Sequence, residues 1–430
     1  MQRFPSRTIL AARLAVACAL VFSVACSGGG STASPGGTTS GSGASNTSNN
    51  QSSGPATLTV WAMGDEGDKL GNSDILQQFQ KDNPDITVNV TAIPWSVAHD
   101  KLITAVAGKQ TPDITQLGST WAGEFSKLNA LDDVPSSIKG DQFYEGATAA
   151  GSFNNKLVGV PWYVDTRVLY YRTDLAQKAG MASAPQTWDD LNQLAMGYHN
   201  AGSRYGIALS SNNWQEYAPF LYSAGGDIMS GGKFTLDSPE AVRALNEYVT
   251  FFKQNLTPQN QPQGFDVAQS FVSGDTPMFF SGPWHRSLIN KAAPDLEGKW
   301  ATARVPKDKS STSFVGGAEL AVFKNGQHKD AAWKFVNYMV QPSTQVAWYK
   351  AINDLPAVKS AWSDPSIANE PSLKVFGDQL NDAKAPPSIP QWEEIAKQID
   401  NWLEKACLGQ ATPEDAAKGM QQAATSIYKP

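Results

Sequence analysis

The sequence predicts an α/β fold resting on a parallel sheet, and three observations lead there. Strand-like and helix-like segments alternate from residue 57 to residue 118. The helix-like segments between them have room to return the chain for another parallel strand, which implies right-handed crossovers. No stretch repeats another, which excludes solenoids and propellers.

Each element has a local reason. "TLTVWAM" (57–63) reads as the first strand. "SDILQQFQKDN" follows as an amphipathic helix, with Ile75, Leu76 and Phe79 on one face and Pro84 closing it. "DITVNVTAIPW" is a second strand, "HDKLITAVAGK" a helix ending near Gly108, and "PDITQLG" a third strand. "GVPWYVDTRVLYYRTDL" (159–175) reads as one more strand. "TWDDLNQLAMGYH" is a helix capped by Thr187, and "YGIAL" a short strand before "SSNNW". Ser238 caps the next helix, with Pro239 at its first position. "TPMFFSG" and "TSFVGGAELAVF" are strands. "KDAAWKFVNYMV" is a helix stopped by Pro342, and the chain ends in helices over 391–407 and 413–427.

The chain has 430 residues, enough for two or three domains, and a formal charge of −6. Nothing supplies a basic stripe for phosphates, which argues against a nucleic-acid partner. Three cysteines, Cys18, Cys26 and Cys407, build neither a disulfide framework nor a cysteine zinc site. Cys407 reads as a packed residue. Arg3, Arg7 and Arg13 precede or enter an apolar run that ends in "SVAC". This fits a signal peptide over 1–25. The small residues before Cys26 resemble a bacterial lipobox, so Cys26 is expected to carry lipid, with plain secretion as the alternative. Residues 27–55 are almost all Gly, Ser, Thr, Asn, Pro and Ala, a disordered tether with a root-mean-square reach of roughly 30 Å. The membrane is therefore expected to be touched only through the anchor.

The candidate site begins at the carboxyl ends of the strands, where open α/β sheets bind ligands. Those ends carry Asp65, Glu66 and Asp68, then Trp95, then Gln116, Ser119 and Trp121. The acidic group reads as a Gly-flanked loop with three open roles: solvated turn, metal ligand, or acceptor for ligand hydroxyls. In the 159–175 stretch, Tyr163, Asp165 and Arg167 share one face at period two, about 6.6–7 Å apart. An internal ion pair competes there with a polar ligand surface. Trp95, Trp121, Trp214, Trp284 and Trp392 mostly follow Pro or polar turn residues, and each is either core or a stacking platform. Asn213 precedes one of them. Gly316 and Gly317 mark a bulge or a close approach, with Glu319 beside them as an acceptor. No zincin motif, phosphate loop, dinucleotide fingerprint or nucleophile elbow occurs in the folded part. No metal or cofactor is expected. Paired carboxylates of a glycoside-processing enzyme remain open, because their spacing is three-dimensional.

The ordered set "LTVWAMGDEGD", "FQKDNPDITVNV", "TPDITQLGSTW", "GVPWYVDTRVLYYRTDL", "TWDDL", "FVSGDTPMFFSGPW" and "FVGGAELAVF" resembles the extracellular solute-binding proteins of carbohydrate ABC importers. The maltose, trehalose and oligosaccharide binders are the nearest type, and the similarity runs over nearly all of the chain after residue 56. The resemblance implies two α/β lobes, each a mostly parallel sheet flanked by helices, joined by hinge strands with ligand in the cleft. Lobe 1 would be 57–164 and 322–363, and lobe 2 would be 165–321 and 364–430. It implies sugar contacts at Tyr163, Asp165, Glu66, Trp284, Gly316 and Gly317. Gly118 stands where many relatives have Asp, which shifts one contact to Gln116 or Ser119. Ala318 and Glu319 stand where relatives often have an aromatic. The implied activity is capture of an oligosaccharide, best a malto-oligosaccharide or related glucoside, by a monomer that delivers it to permease subunits. A secreted glycoside-processing enzyme and a binder of a non-sugar solute are the alternatives.

Overall fold

The protein is described by a computed structural model over residues 55–261 and 265–429. The expected signal peptide, Cys26 and nearly all of the tether lie outside the described residues. Strand β1 (Ala56–Met63) runs between β2 (Ile86–Ile93) and β3 (Ile114–Gly118), parallel to both. Helices α1 (Gly64–Leu70) and α2 (Asp74–Asp82) bridge β1 to β2, and α3 (Trp95–Ala107) bridges β2 to β3. Ser73 caps α2 by accepting from the Leu76 amide, and Ile75, Leu76 and Phe79 turn inward as their spacing requires.

The large sheet then grows by long-range pairing. The strand Ser313–Val322 lies antiparallel between β3 and the strand Val160–Thr166, and Leu355–Pro356 closes that edge. A register shift falls between Ala318 and Glu319. Under this sheet Trp162 stacks on Trp348 with ring centroids 5.0 Å apart.

A second sheet has Val168–Arg172 at its centre, flanked by Met278–Ser281 and Trp300–Ala303. Both pairings are antiparallel, so the expectation of a mostly parallel sheet in each lobe fails here. Local patterning carries no record of which way a distant partner runs. Behind this sheet a separate apolar cluster gathers Phe220, Tyr248, Phe251 and Trp392 from the helices Trp214–Ser223, Pro239–Lys253 and Trp392–Cys407. Cys407 is buried in it, unbridged.

Three local expectations change. Residues 64–68 form the start of α1 rather than a loop, entered through Gly64 at φ +56°. "YGIAL" makes only an isolated bridge, Ala208 to Phe279. The 159–175 stretch is two strands and a helix start, because the chain leaves the large sheet after Thr166 and joins the small one at Val168. Arg167 sits at that crossing. Among the described residues, no helix is long and apolar enough to cross a membrane.

Candidate functional site

A cleft of about 690 Å³ opens where the two sheets meet. One wall comes from the ends of β1, β2 and β3. It carries Asp65 and Glu66 on α1, Trp95 at the start of α3, and Ser119, Thr120 and Trp121 after β3. Glycines shape this wall. A Cβ on Gly64 would stand 3.0 Å from Trp95 Cδ1, and one on Gly118 would stand 3.2 Å from the Trp121 ring. The two indoles meet edge to face at 5.7 Å, and His99 meets Trp121 edge to face at 5.2 Å. His99 Nε2 lies 2.7 Å from Glu124 Oε2, and that carboxylate holds the imidazole pKa above its usual range.

The floor is the crossing itself. Tyr163, Asp165 and Arg167 all reach the cleft, as their period predicts. Arg167 donates to Asp165 Oδ1 at 2.5 Å and to Gln215 Oε1 at 2.8 Å. Gly316 pairs with Asp165 in the sheet, and a Cβ there would lie 2.9 Å from Asp165 Oδ1. Gly317, at φ +125°, runs so close to the neighbouring strand that a Cβ would stand 2.2 Å from the Tyr163 carbonyl oxygen. The opposite wall adds Trp284, Pro283, Phe314 and Glu393. Thr120 donates to Glu393 across the cleft.

Charge is uneven along this surface. Asp65, Glu66, Asp165 and Asp354 converge at one end. Burial lifts the Glu66 pKa, partly opposed by the facing Tyr163 hydroxyl. Burial lifts Asp354 well above the carboxylate range, and the Glu66 charge adds to it. Trp348 Nε1 donates to Asp354 Oδ2 at 3.0 Å, which orients that carboxyl. Burial and the nearby Glu66 push the Tyr163 phenol up. Such a surface offers acceptors to hydroxyl groups and flat faces to C–H surfaces. Among the described residues no cluster of His, Cys, Asp and Glu is arranged to hold a metal ion.

A family model described as bacterial extracellular solute-binding protein matches residues 74–375. This chain belongs to that family. The resemblance expected from the sequence holds at that level. The solute-binding protein is 32% identical to a solved structure of the sugar-binding protein MalE from Xanthomonas citri, with a TM-score of 0.80, covering 86% of this chain and 97% of that one. It shares the two-lobed periplasmic-binding fold with that structure. It is 25% identical to the galactooligosaccharide-binding protein of Bacillus subtilis and 23% identical to the diacetylchitobiose binding protein DasA of Streptomyces coelicolor. Each of these alignments covers 85% of this chain and 88% of the relative.

The cleft of this solute-binding protein gathers Asp65, Glu66, Trp95, Ser119, Trp121, Tyr163, Asp165, Arg167, Trp284, Gly316 and Gly317. Five other candidates stand elsewhere. Gln116 is buried behind the floor, accepting from the Met63 amide at 2.7 Å and donating to Tyr163 Oη at 3.2 Å. Asn213 caps the helix Trp214–Ser223, and its Oδ1 accepts from the Gln215 amide. Trp214 and Trp392 pack edge to face at 5.0 Å in the core behind the second sheet. Glu319 is buried against Gly151 and Gly159, and burial pushes its carboxyl up to about 8. The register shift between Ala318 and Glu319 skips Trp162 on the neighbouring strand, while Glu319 stays in register with Leu117 of β3. Sequence reasoning missed Gln215, Phe314, Asn353, Asp354 and Glu393. Asn353, left-handed at φ +69° where its helix ends, is the one with a sequence signal: an Asn placed before "DLP".

Proposed function

We propose that this solute-binding protein captures an oligosaccharide, a malto-oligosaccharide or related glucoside first, between its lobes and delivers it to the permease of an ABC importer. One observation carries the reading. Trp95 and Trp284 stand 39% and 40% exposed at a cleft that also holds a set of carboxylates. Large indoles are normally covered, and open indole faces beside clustered acceptors suit sugar rings and their hydroxyls. Two relatives, a galactooligosaccharide-binding protein and a diacetylchitobiose binding protein, support the same ligand class. A cleft of about 690 Å³ falls in the usual range for small-molecule sites, roughly 300–1,000 Å³.

In this reading the ligand contacts are the cleft residues named above, and Cys26 holds the protein to the membrane through the 27–55 tether. The lobes are 57–164 with 322–363 and 165–321 with 364–430, and the strand Ser313–Val322, which pairs into the large sheet, serves as a hinge strand between them. The protein acts as a monomer without cofactor and leaves its sugar intact. Isothermal calorimetry with maltose, maltotriose, trehalose, galactobiose and chitobiose tests the ligand class. Binding to at least one is expected, and silence across the panel sinks the reading. Chromatography of the sugar after long incubation separates capture from cleavage, since shortened chains would make the protein an enzyme.

A further inference from the structure

Arg167 joins the floor of the cleft to the wall that carries Trp284 and Phe314. Its two hydrogen bonds join Asp165, at the end of a large-sheet strand, to Gln215, at the start of a helix behind the small sheet. Its guanidinium carbon lies 5.1 Å from the Trp284 ring and 5.3 Å from the Phe314 ring, so the cation lies over two aromatic rings. Its side chain is 10% exposed, against 40% for Trp284. The backbone is fixed as well, because Ser313 Oγ donates to the Arg167 carbonyl at 2.7 Å.

We propose that Arg167 is a positioning residue, which fixes the Asp165 carboxylate and seats the Trp284 indole, and that the sugar touches those two groups rather than the guanidinium. This rests on the saccharide reading. The chemistry requires an arginine. A planar fork reaches two acceptors while its faces stack on rings, whereas an ammonium can do only one of these well. Asp165 is held from two directions, by the fork and by the bare backbone of Gly316, where any side chain would collide with the carboxylate. The same side chain meets both groups, so the orientation of Asp165 and the pose of Trp284 are set together.

Two measurements test this. The first is a mutant cycle on maltotriose affinity with Asp165→Asn, Trp284→Ala and Arg167→Gln, with Arg167→Lys as a second variant and circular dichroism as the folding control. Each single substitution is expected to weaken binding about tenfold, Lys is expected not to rescue, and Arg167→Gln is expected to add less than threefold in a background carrying both Asp165→Asn and Trp284→Ala. A further tenfold loss in that background would mean that Arg167 contacts the sugar by itself and would overturn the proposal. The second is fluorine NMR of ligand-free protein labelled with 5-fluorotryptophan, the Trp284 signal being identified by its loss in Trp284→Phe. Arg167→Gln is expected to move that signal and leave those of Trp162 and Trp348 in place, whereas an unmoved Trp284 signal overturns the proposal. If the wild-type protein binds no sugar of the panel, the saccharide reading falls by the first measurement. The second still decides whether Arg167 seats Trp284.

Discussion

Asp165 and Trp284 are the residues on which the proposed ligand surface depends most. Asp165 presents a carboxylate pinned by Arg167 and bordered by bare backbone, and Trp284 presents an open indole. Asp165→Ala and Trp284→Ala are each expected to weaken sugar binding at least tenfold, about 1.4 kcal/mol. Calorimetry giving wild-type affinity for both would remove them from the site. Glu319 makes a different kind of prediction. Its Oε2 has no hydrogen-bond partner in its buried place, and burial raises its pKa from 4.5 to about 8. The folded state therefore holds this proton over a window in which the unfolded chain has released it. Its contribution is fully present below pH of about 4.5 and is lost as pH rises through about 8. Wild-type stability should fall across that window, and Glu319→Gln should flatten the fall. Parallel melting-temperature curves for the two proteins would rule Glu319 out as the source.

At the scale of elements, the paired glycines in Ser313–Val322 let two strands and the Asp165 side chain come together. Gly317 holds a left-handed φ and leaves no room for a Cβ against the Tyr163 carbonyl. Gly317→Ala combines backbone strain with a backbone collision, and is expected to cost about 2 kcal/mol or more in urea denaturation. An alanine variant as stable as the wild type would mean that the two strands part without cost. The first three strands and their helices were legible because each is specified by its own residues: period, caps and breakers. Even so, the acidic "GDEGD" reads locally as a loop, yet it folds as the first turn of α1. Packing against β1 and β2 overrides two helix-weakening glycines there: a Cβ on Gly67 would stand 2.5 Å from the Ala62 carbonyl and 2.8 Å from Ala92 Cα.

For the whole molecule, the two sheets are linked at Arg167, and Thr120 meets Glu393 across the cleft. Ligand held by both walls favours whichever arrangement brings them together, the hinge closure common to two-lobed binders. Saturating sugar should reduce the radius of gyration in small-angle scattering and raise the melting temperature. At a hundred times Kd the added stability is about 2.7 kcal/mol. A scattering profile and melting curve unchanged by a sugar that binds in calorimetry would place that sugar outside the cleft.

The sequence by itself determined the α/β class, the helix caps at Thr187 and Ser238, and the approach of Tyr163, Asp165 and Arg167 to one site. Each of these depends on residues within a turn or two of one another, so the chain's own periodicity states them. Tertiary structure decided which tryptophans face the cleft and which are core, the antiparallel run of the second sheet, and the burial of Glu319. It also brought Asp354, Gln215 and Glu393 to the cleft from distant parts of the chain. Those outcomes follow from contacts between residues far apart in sequence, where a side chain's neighbours are set by packing that no local pattern records.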